Sequence, residues 1–260
     1  MRVVSPQVLE DTARDVFSGL DPASIALLLD VDGTLCEIAP SPFSVVFSPD
    51  LIASLRRLFE LTDGALALVS GRPIGDLDRL LTPLRLPAIG GHGAELRLHP
   101  DQAWSTPRAL SEPFRQCLAQ AADFDRGIVV EDKGYSVALH YRMAPNCARQ
   151  LRELIATCRG TFGNEPTDVL PGKAVFEVKQ PGISKGAAVE KLMSLPPFAG
   201  RMPVFVGDDI TDETVFEMTA RLGGKAFSVM RHFPGLAGVF ESPKQVRCAL
   251  RNLAGLAAPS

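Results

Sequence analysis

The chain has 260 residues, 46% of them hydrophobic and 22% charged, with a formal net charge of −3 at pH 7. That length suits one large domain or two modest ones, and that composition is ample for a buried core. The slight acidity leaves no basic footprint for nucleic acid, and no apolar run approaches a membrane span. Five scattered cysteines (Cys36, Cys117, Cys147, Cys158, Cys248) without a CxxC pair argue against a disulfide framework and against a zinc site. The first 20 residues are polar and mixed in charge, with no apolar core of signal-peptide length, so a reducing cytoplasm is the expected compartment.

Leu9, Ala13, Val16, Phe17 and Leu20 share one face and predict a leading amphipathic helix over 6–20. The run Leu27-Leu28-Leu29 then leads into Asp30-Val31-Asp32-Gly33-Thr34 and reads as a strand buried on both faces of a parallel sheet. Two acids at its tip either cap the turn before Gly33 or serve a cation or phosphate chemistry that offsets their desolvation. Ligands of open α/β sheets bind beyond the carboxyl ends of the strands, which favours the second reading. Residues 36–49, rich in proline and serine, predict an irregular flap. Leu51, Leu55, Leu58 and Phe59 predict a second helix. A second strand over 65–69 ends in Ser70-Gly71-Arg72-Pro73, where a hydroxyl and nearby N–H groups can meet an anion, or form a plain turn. A helix is expected to open at Pro73. A third strand at 87–89 runs into Gly90-Gly91-His92-Gly93-Ala94-Glu95, whose glycines suggest sharp bends or close approach to a ligand.

The pattern changes at about residue 101. Leu110, Phe114, Cys117, Leu118 and Ala121 form a helical stripe, and Cys147, Leu151, Leu154, Ile155 and Cys158 repeat its spacing. Strand pairs 127–133 with 135–142 and 167–170 with 174–179 follow, with turns at Gly134 and at Pro171-Gly172. This predicts an α-β-β-α-β-β insert. Strand alternation gives its sheet a greasy face and a polar face bearing Glu131, Lys133, His140, Arg142, Lys173 and Glu177. That polar face is either the solvated side of an antiparallel sheet or a set of mixed donors and acceptors suited to sugar hydroxyls. The parallel pattern then resumes: a helix from about Ser184, a strand over 202–206 ending in Gly207-Asp208-Asp209-Ile210-Thr211-Asp212-Glu213, a helix, a strand over 226–229 and a closing helix over 243–253.

Strand tips of a parallel sheet point one way, so Asp30/Asp32 and Asp208/Asp209/Asp212 can meet in one crevice. Oxygen-only ligands suit Mg²⁺, and Ser70 and Lys185 can hold the remaining oxygens of a phosphoryl group. Glu213 is read instead as complementing the dipole of the helix it opens.

Asp30-Val31-Asp32-Gly33-Thr34, Ser70-Gly71-Arg72, Lys185 and Gly207-Asp208-Asp209 resemble, in order, the four motifs of the haloacid dehalogenase-like phosphatases. Gly91-His92-Gly93-Ala94-Glu95, Glu131-Asp132-Lys133-Gly134, Leu139-His140-Tyr141-Arg142, Pro171-Gly172-Lys173 and Gly207 through Glu213 further resemble the trehalose-6-phosphate phosphatase family. The likeness runs over about residues 24–242. It implies a Rossmann-like parallel-sheet core (1–100 and 182–260) with an inserted αββαββ cap (101–181). It also implies Asp30 as nucleophile, Asp32 as general acid and base, Ser70 and Lys185 around the phosphoryl group, and Mg²⁺ on Asp30, the main-chain carbonyl of Asp32, and Asp208. Asp209 and Asp212 would orient that set. Thr34, Gly71, Arg72, His92, Glu131, Lys133, Arg142, Lys173 and Glu177 would line the substrate site. The implied partners are a sugar phosphate and, functionally, a trehalose-phosphate synthase, on whose docking the sequence is silent.

Phosphatases for sucrose 6-phosphate or mannosyl-phosphoglycerate are the rivals within the class. A receiver-like aspartate switch also carries strand-tip acids, but it lacks a sizeable insert and a second acid two residues on. An inactive sugar-phosphate sensor should have lost Asp30 or Asp32, and both are present.

Overall fold

The computed structural model describes residues 13–38, 45–172 and 174–257. They form two compact units, one of residues up to 105 together with those from 184 onward, the other of 106–183. The sequence reading put these crossings at 100/101 and 181/182. Of the predicted leading helix, residues 13–18 are helical, 19–20 lie past its end, and 6–12 lie outside the described residues, as do 39–44 of the predicted flap.

The first unit contains, in chain order, β1 (Ile25–Leu29), α1 (Pro49–Leu61), β2 (Leu66–Val69), α2 (Ile74–Leu81), β3 (Ala88–Gly90) and β4 (Glu95–Arg97). After the insert, whose elements are α3, α4 and β5 to β8, come α5 (Lys185–Met193), β9 (Met202–Gly207), α6 (Glu213–Arg221), β10 (Lys225–Val229), β11 (Gly238–Phe240) and α7 (Pro243–Leu253). The sheet order is β11-β10-β9-β1-β2-β3-β4. All pairs are parallel except β3 with β4. The short strands β4 and β11 lie outside the predicted elements.

Alternation along β1 explains why its apolar run is continuous. Ile25, Leu27 and Leu29 point into one core with Phe17, Leu55, Leu77, Phe227 and Leu250. Ala26 and Leu28 point into the other with Val189, Leu192, Phe205 and Val215. A strand covered on both faces has no polar side to show. Phe17, Phe227 and Phe240 meet with ring centroids 5.3 to 5.8 Å apart, joining the leading helix to the sheet edge. Arg97 is wholly buried and is satisfied by Asp78, at 2.6 and 2.7 Å, and by the carbonyl of Leu86.

The second unit contains α3 (Glu112–Ala119), β5 (Val129–Asp132), β6 (Ser136–His140), α4 (Ala148–Thr161), β7 (Asp168–Gly172) and β8 (Val175–Lys179). Its antiparallel sheet has the order β5-β6-β8-β7. Phe114, Leu118, Leu151 and Ile155 of the helices share a core with Val137, Leu139, Phe176 and Val178 of the strands. The first hairpin turns at Gly134, φ 78°. The second does not turn at Pro171-Gly172. Those residues stay in β7, paired with Phe176 and Val175, and the turn falls after Gly172, with Ala174 at φ 59°.

One expectation about cysteines is overturned. Cys117 and Cys158 form a disulfide, with their Cα atoms 5.9 Å apart. Both belong to the inward stripes of α3 and α4, and two stripes packed on one core bring such positions within bonding reach. Spacing along the chain hides this, since 41 residues separate them.

Phe227→Ala removes the ring common to two of the edge contacts. It is expected to lower unfolding stability by about 3–5 kcal/mol, the range for emptying a buried phenylalanine site. Urea denaturation measures it, and a loss under about 1 kcal/mol would mean the rings do not carry that edge.

Candidate active site

β1 lies between β2 and β9, so three strand tips carry the candidate residues side by side. The register pairs Leu29 with both Val206 and Leu68, and the Asp30 amide continues the ladder to the Val206 carbonyl at 2.9 Å. Asp30 therefore follows β1 immediately, Asp208 follows β9, and Ser70 follows β2. Oxygens of Asp30, Asp208 and Asp212 lie within 4.8 Å of one another. Gly33 shows how close the strands approach: with φ 83°, a Cβ there would run into the Asp208 carboxylate.

Lys185 opens α5, whose N-cap Ser184 accepts from the Ala187 amide. Its Nζ donates to Asp30 Oδ1 and Asp212 Oδ1, each at 2.7 Å, with all three side chains at 5% exposure or less. Burial pushes the Asp30 carboxyl well above the usual range, against the pull of Lys185, and Asp212 adds to the rise. Burial alone would depress Lys185, but Asp30 and Asp212 outweigh it and hold the ammonium above its ordinary value. Asp212 is otherwise occupied: its Oδ2 accepts from the amides of Asp208 and Asp209. It thus fixes the loop that presents Asp208. Asp209 caps the same short turn, and its Oδ1 lies 3.7 Å from Arg231 Nη1.

The donor set fits a hard divalent cation, with oxygens only and three carboxylates against one ammonium. Thr34 adds an independent sign of a ligand. Its hydroxyl is buried and has no hydrogen-bond partner among the described residues.

The Asp32 side chain takes another direction. Arg72 grips it with two hydrogen bonds, Nε to Oδ2 at 2.6 Å and Nη2 to Oδ1 at 2.5 Å. Hydrogen bonding to Asp32 also raises the Arg72 pKa. Arg72, expected from sequence at the substrate, is engaged by Asp32, a pairing with no local signal because 40 positions separate the two. Ser70 is buried and accepts from the Arg72 amide at 3.1 Å, which leaves its hydroxyl proton to donate. His92 packs on Gly71, where a Cβ would fall 2.5 Å from Nε2, so the glycine is a matter of space.

Within the second unit, the polar sheet face forms one network. Glu131 Oε2 lies 3.1 Å from His140 Nε2 and 3.9 Å from Lys133 Nζ. Lys133 reaches Glu177 Oε1 at 3.4 Å, and the Ser136 hydroxyl donates to the same oxygen at 2.8 Å. The His140 hydrogen bond, followed by the Lys133 charge, holds Glu131 below the usual carboxylate range. β6 ends at His140, short of the predicted 142, so Arg142 lies exposed in the turn beyond it. Lys173 lies outside the described residues. Ser136 and Lys179 belong to this face but were not singled out from sequence, although alternation with His140 and Glu177 places them there. Burial lowers the pKa of Lys179, which donates to the Ile183 carbonyl at 2.5 Å.

The fold and the strand-tip cluster define a haloacid dehalogenase-like protein. Residues 28–235 match the family model described as Trehalose-phosphatase. The trehalose-6-phosphate phosphatase of Escherichia coli is 39% identical over 222 residues, 80% of this chain and 78% of that protein. A bifunctional trehalose-6-phosphate synthase/phosphatase of Thermoproteus tenax is 35% identical over 201 residues, covering 74% of this chain and 27% of that protein. The solved C-terminal domain of the C. albicans trehalose-6-phosphate phosphatase aligns over 94% of this chain and 97% of that one, with a TM-score of 0.74 at 21% identity. The chain belongs to the trehalose-phosphatase family, which implies a divalent metal at the acidic cluster.

Lys185→Met leaves Asp30 and Asp212 facing each other without their counter-charge. Urea unfolding in EDTA is expected to show a loss of about 3 kcal/mol or more, the cost of breaking a buried ion pair from one side. A loss below about 0.5 kcal/mol would mean that the ammonium does not hold the cluster together.

Proposed function

We propose that this protein is a Mg²⁺-dependent phosphatase that hydrolyses trehalose 6-phosphate to trehalose and inorganic phosphate. The observation that carries the reading is the meeting of Asp30, Asp208 and Lys185 at neighbouring strand tips, in a chain of this family. Asp30 attacks phosphorus and forms an aspartyl phosphate while the bond to the sugar oxygen breaks, dividing one hard hydrolysis into two easier steps. Asp32 gives its proton to that departing oxygen, then takes one from the water that cleaves the aspartyl phosphate. Arg72 orients the Asp32 side chain through its two hydrogen bonds before substrate arrives. Ser70 and Thr34 offer hydroxyl protons to phosphoryl oxygens, and Lys185 offsets their charge.

Asp30, Asp208 and the main-chain carbonyl of Asp32 would hold Mg²⁺, with Asp212 and Asp209 orienting them. The bound cation would neutralise phosphoryl charge, so that an anionic nucleophile can approach an anionic ester. Sugar recognition falls to the polar face of the insert: Glu131, Lys133 and Glu177, together with Arg142 and Lys173. His92 lines the phosphate side. A mixed network of this kind presents acceptors and donors together, as sugar hydroxyls require.

The fused synthase/phosphatase relative makes a trehalose-phosphate synthase the functional partner to expect. No helix among the described residues is long and apolar enough to cross a membrane. We place the protein in the cytoplasm.

Asp30→Asn is expected to abolish turnover with the fold intact, and near-native phosphate release would refute its role as nucleophile. On a panel of disaccharide phosphates with Mg²⁺, trehalose 6-phosphate should exceed sucrose 6-phosphate by more than about tenfold in kcat/KM, roughly 1.4 kcal/mol of transition-state binding. A smaller margin would remove the substrate assignment. Glu131→Ala should depress kcat/KM for trehalose 6-phosphate at least tenfold more than for a small aryl phosphate. Equal losses would place Glu131 outside the sugar site.

A further inference from the structure

Glu95 is an acid in a place the alternation of a buried strand would fill with an apolar side chain. It is 6% exposed, begins β4, and sits opposite Gly90 in the β3–β4 pair. Its Oε2 accepts from the backbone amide of Ile74 at 2.5 Å, the first residue of α2. That helix needs an outside acceptor. Its N-cap is Pro73, which has no side-chain oxygen, and Ile74 is fully buried, so an unmet amide there would be costly. Gly90 makes the reach possible. A Cβ at Gly90 would stand 2.9 Å from Glu95 Oε2, from the Arg72 carbonyl and from Ile74 Cγ1.

The same loop grips both motifs that surround the phosphoryl site. The Gly91 amide donates to the Arg72 carbonyl at 2.9 Å, and the His92 amide to the Ser70 carbonyl at 3.1 Å. Gly93, at φ 105°, packs so closely on Ser184 and Lys185 that a Cβ would fall 3.0 Å from the Lys185 amide nitrogen and nearer still to the Ser184 carbonyl. One end of the loop thus sets Arg72, and through it Asp32, while its middle sets the start of the helix that presents Lys185.

We propose that Glu95 is a positioning residue for the reaction: by capping α2 from across the β3–β4 turn, it holds the Ser70–Pro73 loop so that Arg72 engages Asp32 in the two-bond geometry. The effect on turnover rests on the phosphatase reading above; the effect on Arg72 does not. Glu95 touches no reacting atom, and its influence passes through Arg72.

The test compares wild type, Glu95→Gln, Glu95→Ala, Arg72→Ala and the Glu95→Ala/Arg72→Ala double variant, all as full chains. In ¹⁵N-correlated NMR, the Nε–H of Arg72 (assigned by its loss in Arg72→Ala) should be slowly exchanging in wild type and in Glu95→Gln, whose amide oxygen still accepts from Ile74. It should broaden or move to free-guanidinium values in Glu95→Ala. In kinetics with trehalose 6-phosphate and Mg²⁺, Glu95→Ala should lower kcat at least tenfold with KM within twofold, and Glu95→Gln should stay within threefold of wild type. In the Arg72→Ala background, Glu95→Ala should change kcat less than threefold.

An unchanged Arg72 signal in folded Glu95→Ala would overturn the proposal. So would equal kcat losses in both backgrounds, or a Glu95→Gln as impaired as Glu95→Ala. Should Glu95→Ala fail to fold, the outcome rests on Glu95→Gln and Glu95→Asp: a retained Arg72 signal in the first and a lost one in the second supports the cap, and the reverse refutes it. A wild type inert on trehalose 6-phosphate, with the Arg72 signal still dependent on Glu95, would sink the substrate reading and leave the positioning role standing.

Discussion

Two buried carboxylates and one buried ammonium share the end of β1, and the remaining features of the core unit follow from keeping them together. Asp30 and Asp212 are at or below 5% exposure and would repel strongly in so dry a place, but Lys185 bonds to both at 2.7 Å. Three well-separated segments must therefore converge: the tip of β1, the turn after β9, and the first residue of α5. Only a parallel sheet with β1 at its centre brings the first two alongside, and the N-cap Ser184 starts the third in the right place. With Asp208 adding a third carboxylate against one ammonium, the cluster keeps an excess of negative charge that suits the divalent metal the family implies.

A second layer of constraint surrounds this one. Asp212 fastens the loop bearing Asp208, Arg72 fastens Asp32, and the Gly90–Glu95 loop fastens Arg72. Each fixed side chain loses freedom during folding instead of at the moment of reaction, so less reorganisation is left for the transition state. The glycines at 33, 71, 90 and 93 record the same demand, since each is a point where a Cβ would collide with a functional side chain or with the backbone beside one. The second unit carries a polar network of its own on a sheet whose other face is sealed by α3 and α4.

Much of this was legible in the sequence, for definite physical reasons. The Leu27–Leu29 run announced a strand covered on both faces, and acids at a strand tip are rare enough to mark a site. The alternation along β5, β6 and β8 sorted Glu131, Lys133 and Glu177 from Val137, Leu139 and Phe176. What stayed hidden depends on long-range partners. Arg72 reaching Asp32 and Glu95 capping α2 each join residues whose pairing leaves no periodic trace. Two clues were available for Glu95: an acid following a glycine-dense turn into a short strand, and a proline where α2 needed an acceptor. The Cys117–Cys158 bond was concealed by reading both cysteines only as apolar members of helical stripes. The second hairpin was misplaced because Pro171-Gly172 carries strong turn chemistry yet remains paired in β7, while Ala174, a residue with no turn signature, takes the left-handed conformation.

The proposed chemistry depends on which atom receives the phosphoryl group. Steady-state turnover of trehalose 6-phosphate with Mg²⁺, quenched in acid and reduced with labelled borohydride, converts an aspartyl phosphate into labelled homoserine at the residue that carried it. The label should appear at position 30 and nowhere else. Label at position 32 or 208, or a complete absence of label during active turnover, would contradict it.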